Sequence, residues 1–371
     1  MAHSRSIWCL LATGFLASLA IVDDAISQVP RAARAGPVTV PTEWMIPCDI
    51  PRDQLNAVAV AHNHDVYPGL AAKVPGGWLV YDRYLKEVIE LDDGLAEIRR
   101  WGRSGNGPFE YGEPIAIGKS GTGQVVIVDR TPPSLIVLGD GRDNEYRILP
   151  ADVTHLPVTA GVYSDHVLIG TRGGTISEVK LADPRSVRHR WGMSDFGFSV
   201  SDDVGMVPRY RFGYEMGGRA YVGFESSSRI WVLDDIDPPL LVARRCVPSA
   251  LEGMPEEAPR IASTFPGIKS TVPLRIRTLG DFRPLPDGRV VALGALYTRD
   301  DLGQPAGASV ELYDSDGRLV AAWHLDRTGS FRGLIDPDNV HRLLVWGQSD
   351  VPGLQLLELS GPGYPEVRGI R

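Results

Sequence analysis

Four side chains in this 371-residue chain, Asn106, Asp129, Asp165 and Asp281, stand at corners or starts of apolar runs, where oxygens distant in sequence could gather round one ion. Calcium takes several oxygen ligands, so it is the cation that carboxylates and amides drawn from different places would suit. Aspartate is also the residue that tight turns use, and turn chemistry is the plainer account of all four. His62-Asn63-His64-Asp65 sets two imidazoles two residues apart. In a strand both would point the same way and suit a transition metal, but no third ligand lies nearby in sequence and a polar loop is the preferred account.

The run Gly102-Arg103-Ser104-Gly105-Asn106-Gly107 offers backbone N–H groups to an anion. A phosphate cradle opens a helix, whereas the following sequence is strand-like, so these glycines are read as positive-φ turn geometry. The polar side chains that such geometry does not demand are Arg103, Asn106 and Glu110, which become the candidates for a binding face. No Gly-x-Ser-x-Gly elbow, Walker loop or Cys-x-x-Cys pair occurs, and no catalytic residue is assigned.

The elements that must hold these residues are short strands. The chain has 41 Gly and 29 Pro in a composition that is 43% hydrophobic, and it lacks long helical periodicity. Six copies of a strand, corner, strand, acidic-turn unit run from Gly76, Gly121, Asp165, Gly217, Pro286 and Asp338. Their first marked apolar strands sit at Leu79, Val126, Leu168, Tyr221, Val291 and Leu344. Subtracting successive positions gives intervals of 47, 42, 53, 70 and 53 residues. That period predicts an all-β, six-bladed β-propeller of antiparallel four-stranded blades rather than a sandwich with a second small domain. Leu55 to His62 alternates well enough to supply an outermost strand for the last unit, closing the ring by pairing the N- and C-terminal segments. Trp101, Trp191, Trp323 and Trp346 are read as inter-blade core. The Pro-, Glu- and Ala-rich insertion at 247–271 is read as a loop with a short helix.

Residues 1–27 have a basic start, an apolar stretch and Ala25-Ile26-Ser27, the pattern of a signal peptide cleaved after Ser27. Residues 28–42 read as a linker, and 43–371 as a single propeller domain. Cys48 and Cys246 then lie in a compartment that permits a disulfide between them, with two separate buried thiols as the alternative. A formal charge of -8 argues against binding a phosphate backbone. The expected product is secreted or periplasmic, monomeric, off the membrane after cleavage and without a cofactor other than calcium.

Residues 102–114, GRSGNGPFEYGEP, followed by IAIGKSGTGQVVIVDRTPPSLIVLGDGR, resemble the repeat of NHL-type six-bladed β-propellers. Gly102, Gly105, Gly107, Pro108, Phe109, Pro114, Gly123, Asp129, Asp140 and Gly141 occupy the repeat's places. The resemblance implies an exported bacterial propeller that acts as a non-enzymatic binding module for a protein or glycan. Its alternative is a calcium-dependent esterase or lactonase with a metal site on the propeller axis.

Overall fold

A computed structural model describes residues 52–364 except 106, 108, 140–143, 150–156, 172–173, 197–209, 215–218, 225–228, 234–238, 245–259, 263–270, 274–278, 298–304, 326–331 and 347–352. The chain divides into two compact units, Met1–Val38 and Thr39–Arg371. All described residues belong to the second. The expected signal peptide and linker, Cys48, Cys246, Asn106 and most of the 247–271 insertion lie outside the described residues.

The described chain is all-β, with one 3-10 turn at Met193–Phe196. A long first strand, β1 (Arg52–Asn63), precedes a four-stranded sheet of β2 (Pro68–Val74), β3 (Gly77–Asp82), β4 (Glu87–Asp92) and β5 (Glu97–Trp101). Two-residue strands β6 (Arg103–Ser104) and β7 (Glu110–Tyr111) pair in the glycine-rich loop. The second sheet is β8 (Pro114–Lys119), β9 (Val125–Arg130), β10 (Pro133–Leu138) and β11 (Glu145–Ile148). The third is β12 (Pro157–Tyr163), β13 (His166–Thr171), β14 (Ile176–Lys180) and β15 (Val187–Trp191). The fourth is β16 (Tyr210–Tyr214), β17 (Ala220–Phe224), β18 (Arg229–Leu233) and β19 (Leu240–Arg244). A small ladder of β20 (Arg260–Ala262) and β21 (Thr271–Pro273) follows. The last sheet has eight strands, ordered β22-β23-β24-β25-β1-β28-β27-β26. Its remaining members are β22 (Leu279–Pro284), β23 (Val290–Tyr297), β24 (Pro305–Tyr313), β25 (Leu319–Leu325), β26 (Arg332–Ile335), β27 (Arg342–Trp346) and β28 (Leu354–Ser360).

The arrangement is propeller-like. First strands of successive groups lie against one another, β2 beside β8, β8 beside β12, β12 beside β16, β16 beside β22 and β22 beside β26. The groups also share cores. Leu79, Trp101, Ile117 and Ile136 join the first sheet to the second, and Val80, Ile89, Leu344 and Leu356 join the eight-stranded sheet to the first. Burial on both faces explains why β3, β9 and β13 read as continuous apolar runs instead of alternating. Each fully buried Leu or Ile there contributes about 1.5–3 kcal/mol.

All six apolar markers, Leu79, Val126, Leu168, Tyr221, Val291 and Leu344, fall on the second strand of a four-strand run. The first strands escape a sequence reading because three of them begin with proline and carry a bulge at once, so their alternation is broken. Register shifts follow Pro68, Pro114 and Pro157. The expected terminal pairing is present: Asn56–Asn63 runs antiparallel to Leu354–Ser360, while Arg52–Leu55 runs parallel to β25.

Residues 260–262 and 271–273 pair as strands, Ile261 opposite Val272, and the rest of the 247–271 insertion, read as a loop with a short helix, lies outside the described residues. The four tryptophans are buried as expected, but Trp346 lies on a second strand, whereas Trp101, Trp191 and Trp323 lie on fourth strands, so they do not repeat one place.

Candidate functional site

At the end where the first strands begin, one buried aspartate in each of the first two sheets organises the backbone. Asp82, which is fully buried, accepts N–H bonds from Tyr67, Tyr84 and Leu85, each at 2.7 Å. Asp129 does the same in the second sheet, accepting from Gly112 at 2.6 Å and Glu113 at 2.7 Å. Each carboxylate ties the loop entering its sheet to the turn between the second and third strands. Charge-assisted bonds of this kind are the strong ones, and the turns differ in their share of them: Tyr84 and Leu85 donate to Asp82 at 2.7 Å, whereas the turn after Asp129 donates from Thr131 at 3.5 Å.

The arginine after each aspartate behaves differently. Arg130 reaches to the next sheet, donating from Nε to Pro157 O at 2.9 Å and from Nη2 to Val158 O at 3.4 Å, and it pairs with Glu113 at 2.5 Å. It thereby satisfies carbonyls that the bulge after Pro157 takes out of the ladder. Arg332, at the start of β26, performs the same service for the bulge in β2, donating to Gly69 O at 3.0 Å. Arg83 holds the place of Arg130, yet among the described residues no acceptor or carboxylate takes its guanidinium. Its stem instead lies across Gly69, where an added Cβ would meet Arg83 Cγ at 2.6 Å.

The turns differ again in what they present. Between β9 and β10 stand Arg130, Thr131 and Pro132, with no large apolar side chain exposed. Between β3 and β4 stand Arg83, Tyr84, Leu85 and Lys86, where Tyr84 is 84% and Leu85 46% exposed. Tyr67 leans on Tyr84 with ring centroids 5.9 Å apart and is itself half exposed. Lys86 has φ 55, a left-handed conformation uncommon for a residue other than glycine. Beneath the turns, burial and then the charge of Asp129 raise the Tyr81 hydroxyl above the ordinary tyrosine range, so it stays a neutral donor.

The residues singled out from sequence are scattered. Arg103 and Glu110 do meet, Nε to Oε1 at 2.6 Å, but Glu110 also accepts the Gly107 N–H at 2.7 Å. Glu110 thus also braces the loop, supplying the acceptor that the Gly107 N–H needs. Asp129 is the corner residue already described. Asp165, largely exposed, pairs with His166 Nδ1 at 2.8 Å. Asp281 is buried in β22, accepting the Ile335 N–H at 2.9 Å beside Arg283 at 3.4 Å. Burial raises its carboxyl above the usual range, ahead of the opposing pull of Arg283. The rings of His62 and His64 lie against each other, with centroids 3.5 Å apart. Among the described residues no three His, Cys, Asp or Glu side chains come together as a metal site.

Sequence reasoning missed Tyr67, Arg83, Tyr84 and Leu85. The signal was available: Tyr-Leu in a corner whose partner corner is Thr-Pro breaks the rule that turns carry polar residues.

No family model matches the sequence, and no curated protein matches it. Among solved structures the chain is similar to a member of the DUF4221 family from Bacteroides vulgatus, at TM-score 0.53 and 8% identity over 85% of this chain and 100% of that one. A candidate exported protein of Bacteroides fragilis gives TM-score 0.52 and 10% identity over 85% and 98%. The β-propeller domain of Cps50 (Swd1) from Myceliophteria thermophila gives TM-score 0.46 and 12% identity over 82% and 100%. No helix among the described residues is long and apolar enough to cross a membrane. The sheet order and the succession of first-strand contacts make the fold a β-propeller.

Proposed function

We propose that the chain is an exported, six-bladed, NHL-type propeller that binds a protein or glycan without catalysing a reaction, and that the turn Asp82–Glu87 is its contact surface. The observation that carries the site is the pairing of rigid support with apolar display: two N–H groups of the turn and one of the entering loop bond a buried carboxylate while Tyr84 and Leu85 face solvent. The turn on Asp129 is held less closely, by the Thr131 N–H at 3.5 Å, and exposes no large apolar side chain. Exposed aromatic and apolar side chains in one place mark an interaction surface.

Six blades follow from reading the eight-stranded sheet as two four-stranded units joined where Arg52–Leu55 meets β25. Export rests on the first 27 residues and agrees with the description of the Bacteroides fragilis neighbour. A monomer that binds no nucleic acid, membrane or resident cofactor, with Cys48 and Cys246 available to pair, completes the reading. Screening the full mature chain against immobilised protein and glycan panels tests it. Wild type retains a ligand, and the Tyr84→Ser/Leu85→Ser variant, with unchanged thermal unfolding, loses it by about tenfold or more. Retention that the double variant does not alter would overturn the assignment.

A further inference from the structure

The same turn also specifies the chemistry of its partner. We infer that it takes a segment of another protein in which carboxylate side chains alternate with apolar ones; the inference rests on the binding reading above.

Charge comes first. The chain as a whole carries -8, yet both unpaired ionisable side chains of this turn are cations. Asp82 is buried and saturated by three N–H donors, and Glu87 shares Arg100 with Glu97, at 2.7 and 2.9 Å. Among the described residues neither Arg83 nor Lys86 has a carboxylate partner. Two cations without carboxylate partners on an acidic protein draw an anionic group to this spot.

Apolar contact comes second. Tyr84 and Leu85 stand between the two cations in the chain and Tyr67 leans on Tyr84, all three exposed, and tyrosine and arginine are among the residue types that dominate binding energy in protein interfaces. A uniform polyanion would leave these three uncovered, whereas acidic residues spaced by leucine or phenylalanine would engage both kinds of group. The turn is already ordered, so docking loses little conformational freedom.

Placement of the guanidinium comes third. Gly69 lies at the bulge of β2, and a Cβ there would stand 2.6, 3.1 and 3.2 Å from Arg83 Cγ, Cδ and Nε. The missing side chain makes room for the arginine stem, with Arg332 bonded to the Gly69 carbonyl. Gly69→Ala therefore moves Arg83 without changing the charge.

The test titrates the full mature chain with three synthetic peptide sets: Glu or Asp alternating with Leu or Phe, the same peptides with Lys for the acids, and polyglutamate. The acidic-apolar set binds, and raising the salt concentration weakens it. Arg83→Gln and Tyr84→Ser each lower affinity about tenfold, and Gly69→Ala lowers it severalfold, with unchanged thermal unfolding for the two exposed positions. Equal binding of the lysine set or of polyglutamate would overturn the partner chemistry. So would Tyr84-dependent binding of an uncharged oligosaccharide without the acidic peptides, which leaves the site standing. Acidic-apolar binding indifferent to Arg83→Gln and Tyr84→Ser overturns both the chemistry and the site.

Discussion

Asp82→Ala loses about 3 kcal/mol of stability and the ligand with it, while Asp129→Ala loses a comparable amount and keeps the ligand. Both carboxylates are buried and hold backbone N–H groups at 2.6–2.7 Å. Removing either leaves donors without a partner in a site that water reaches poorly, which costs about 1–3 kcal/mol per orphaned group before relaxation. The functional effects separate because Asp82 orders Tyr84 and Leu85 directly, whereas the turn on Asp129 displays neither. Urea unfolding read alongside ligand titration checks both halves. Equal loss of binding in the two variants would mean that the ligand senses the general integrity of this end and not the Tyr84 turn.

Lys119→Met has the other large effect, about 1–3 kcal/mol, because it takes one of two cations from a buried carboxylate and leaves Arg99 and Trp101 to hold it. Glu90 in β4 is buried and accepts from Lys119 Nζ at 2.5 Å, Trp101 Nε1 at 2.8 Å and Arg99 Nε at 2.9 Å. Lys119 comes from β8 of the second sheet, so the cluster is an electrostatic rivet between two sheets. Burial pushes the Glu90 carboxyl up, but the hydrogen bonds from Lys119, Arg99 and Trp101 outweigh it and hold the group below the ordinary carboxylate range. A lowered folded value means that its contribution is complete above the unfolded value of 4.5 and is lost as pH falls through the folded one. Wild type therefore loses more stability than Glu90→Gln on acidification below pH about 4.5, as urea unfolding across that range reads out.

The parts of the fold that were legible in the sequence were those fixed by local chemistry. Leu79, Val126, Leu168, Tyr221, Val291 and Leu344 each lie on a strand buried on both faces, so burial wrote unbroken apolar runs that recur with the blade period. First strands were harder because bulges after Pro68, Pro114 and Pro157 displace the alternation by one residue. The pairing of Leu55–His62 with the last strand followed from the need to cover an edge, but the parallel contact of Arg52–Leu55 with β25 had no signal, because parallel register depends on a neighbour 270 residues away in sequence, as Arg52 opposite Ala322 shows. Asp129 was read correctly as a corner. Arg103 and Glu110 drew notice as polar residues among glycines, although their side chains brace one another. Tyr84 and Leu85 were passed over because an apolar pair beside a strand looks like core; their place in a corner, where turns carry polar residues, was the sign of display, while the degree of exposure is set by the neighbouring sheets.

The central claim, that the Asp82-anchored turn is the contact surface, is tested most directly by footprinting. Full mature chain labelled with 3-fluorotyrosine, assigned through Tyr84→Phe and Tyr67→Phe, is titrated with the ligand that the panels or peptides identify. The account predicts that the Tyr84 and Tyr67 resonances shift together at saturation while those of buried Tyr111 and Tyr313 stay in place. Saturation without movement at Tyr84 would contradict it.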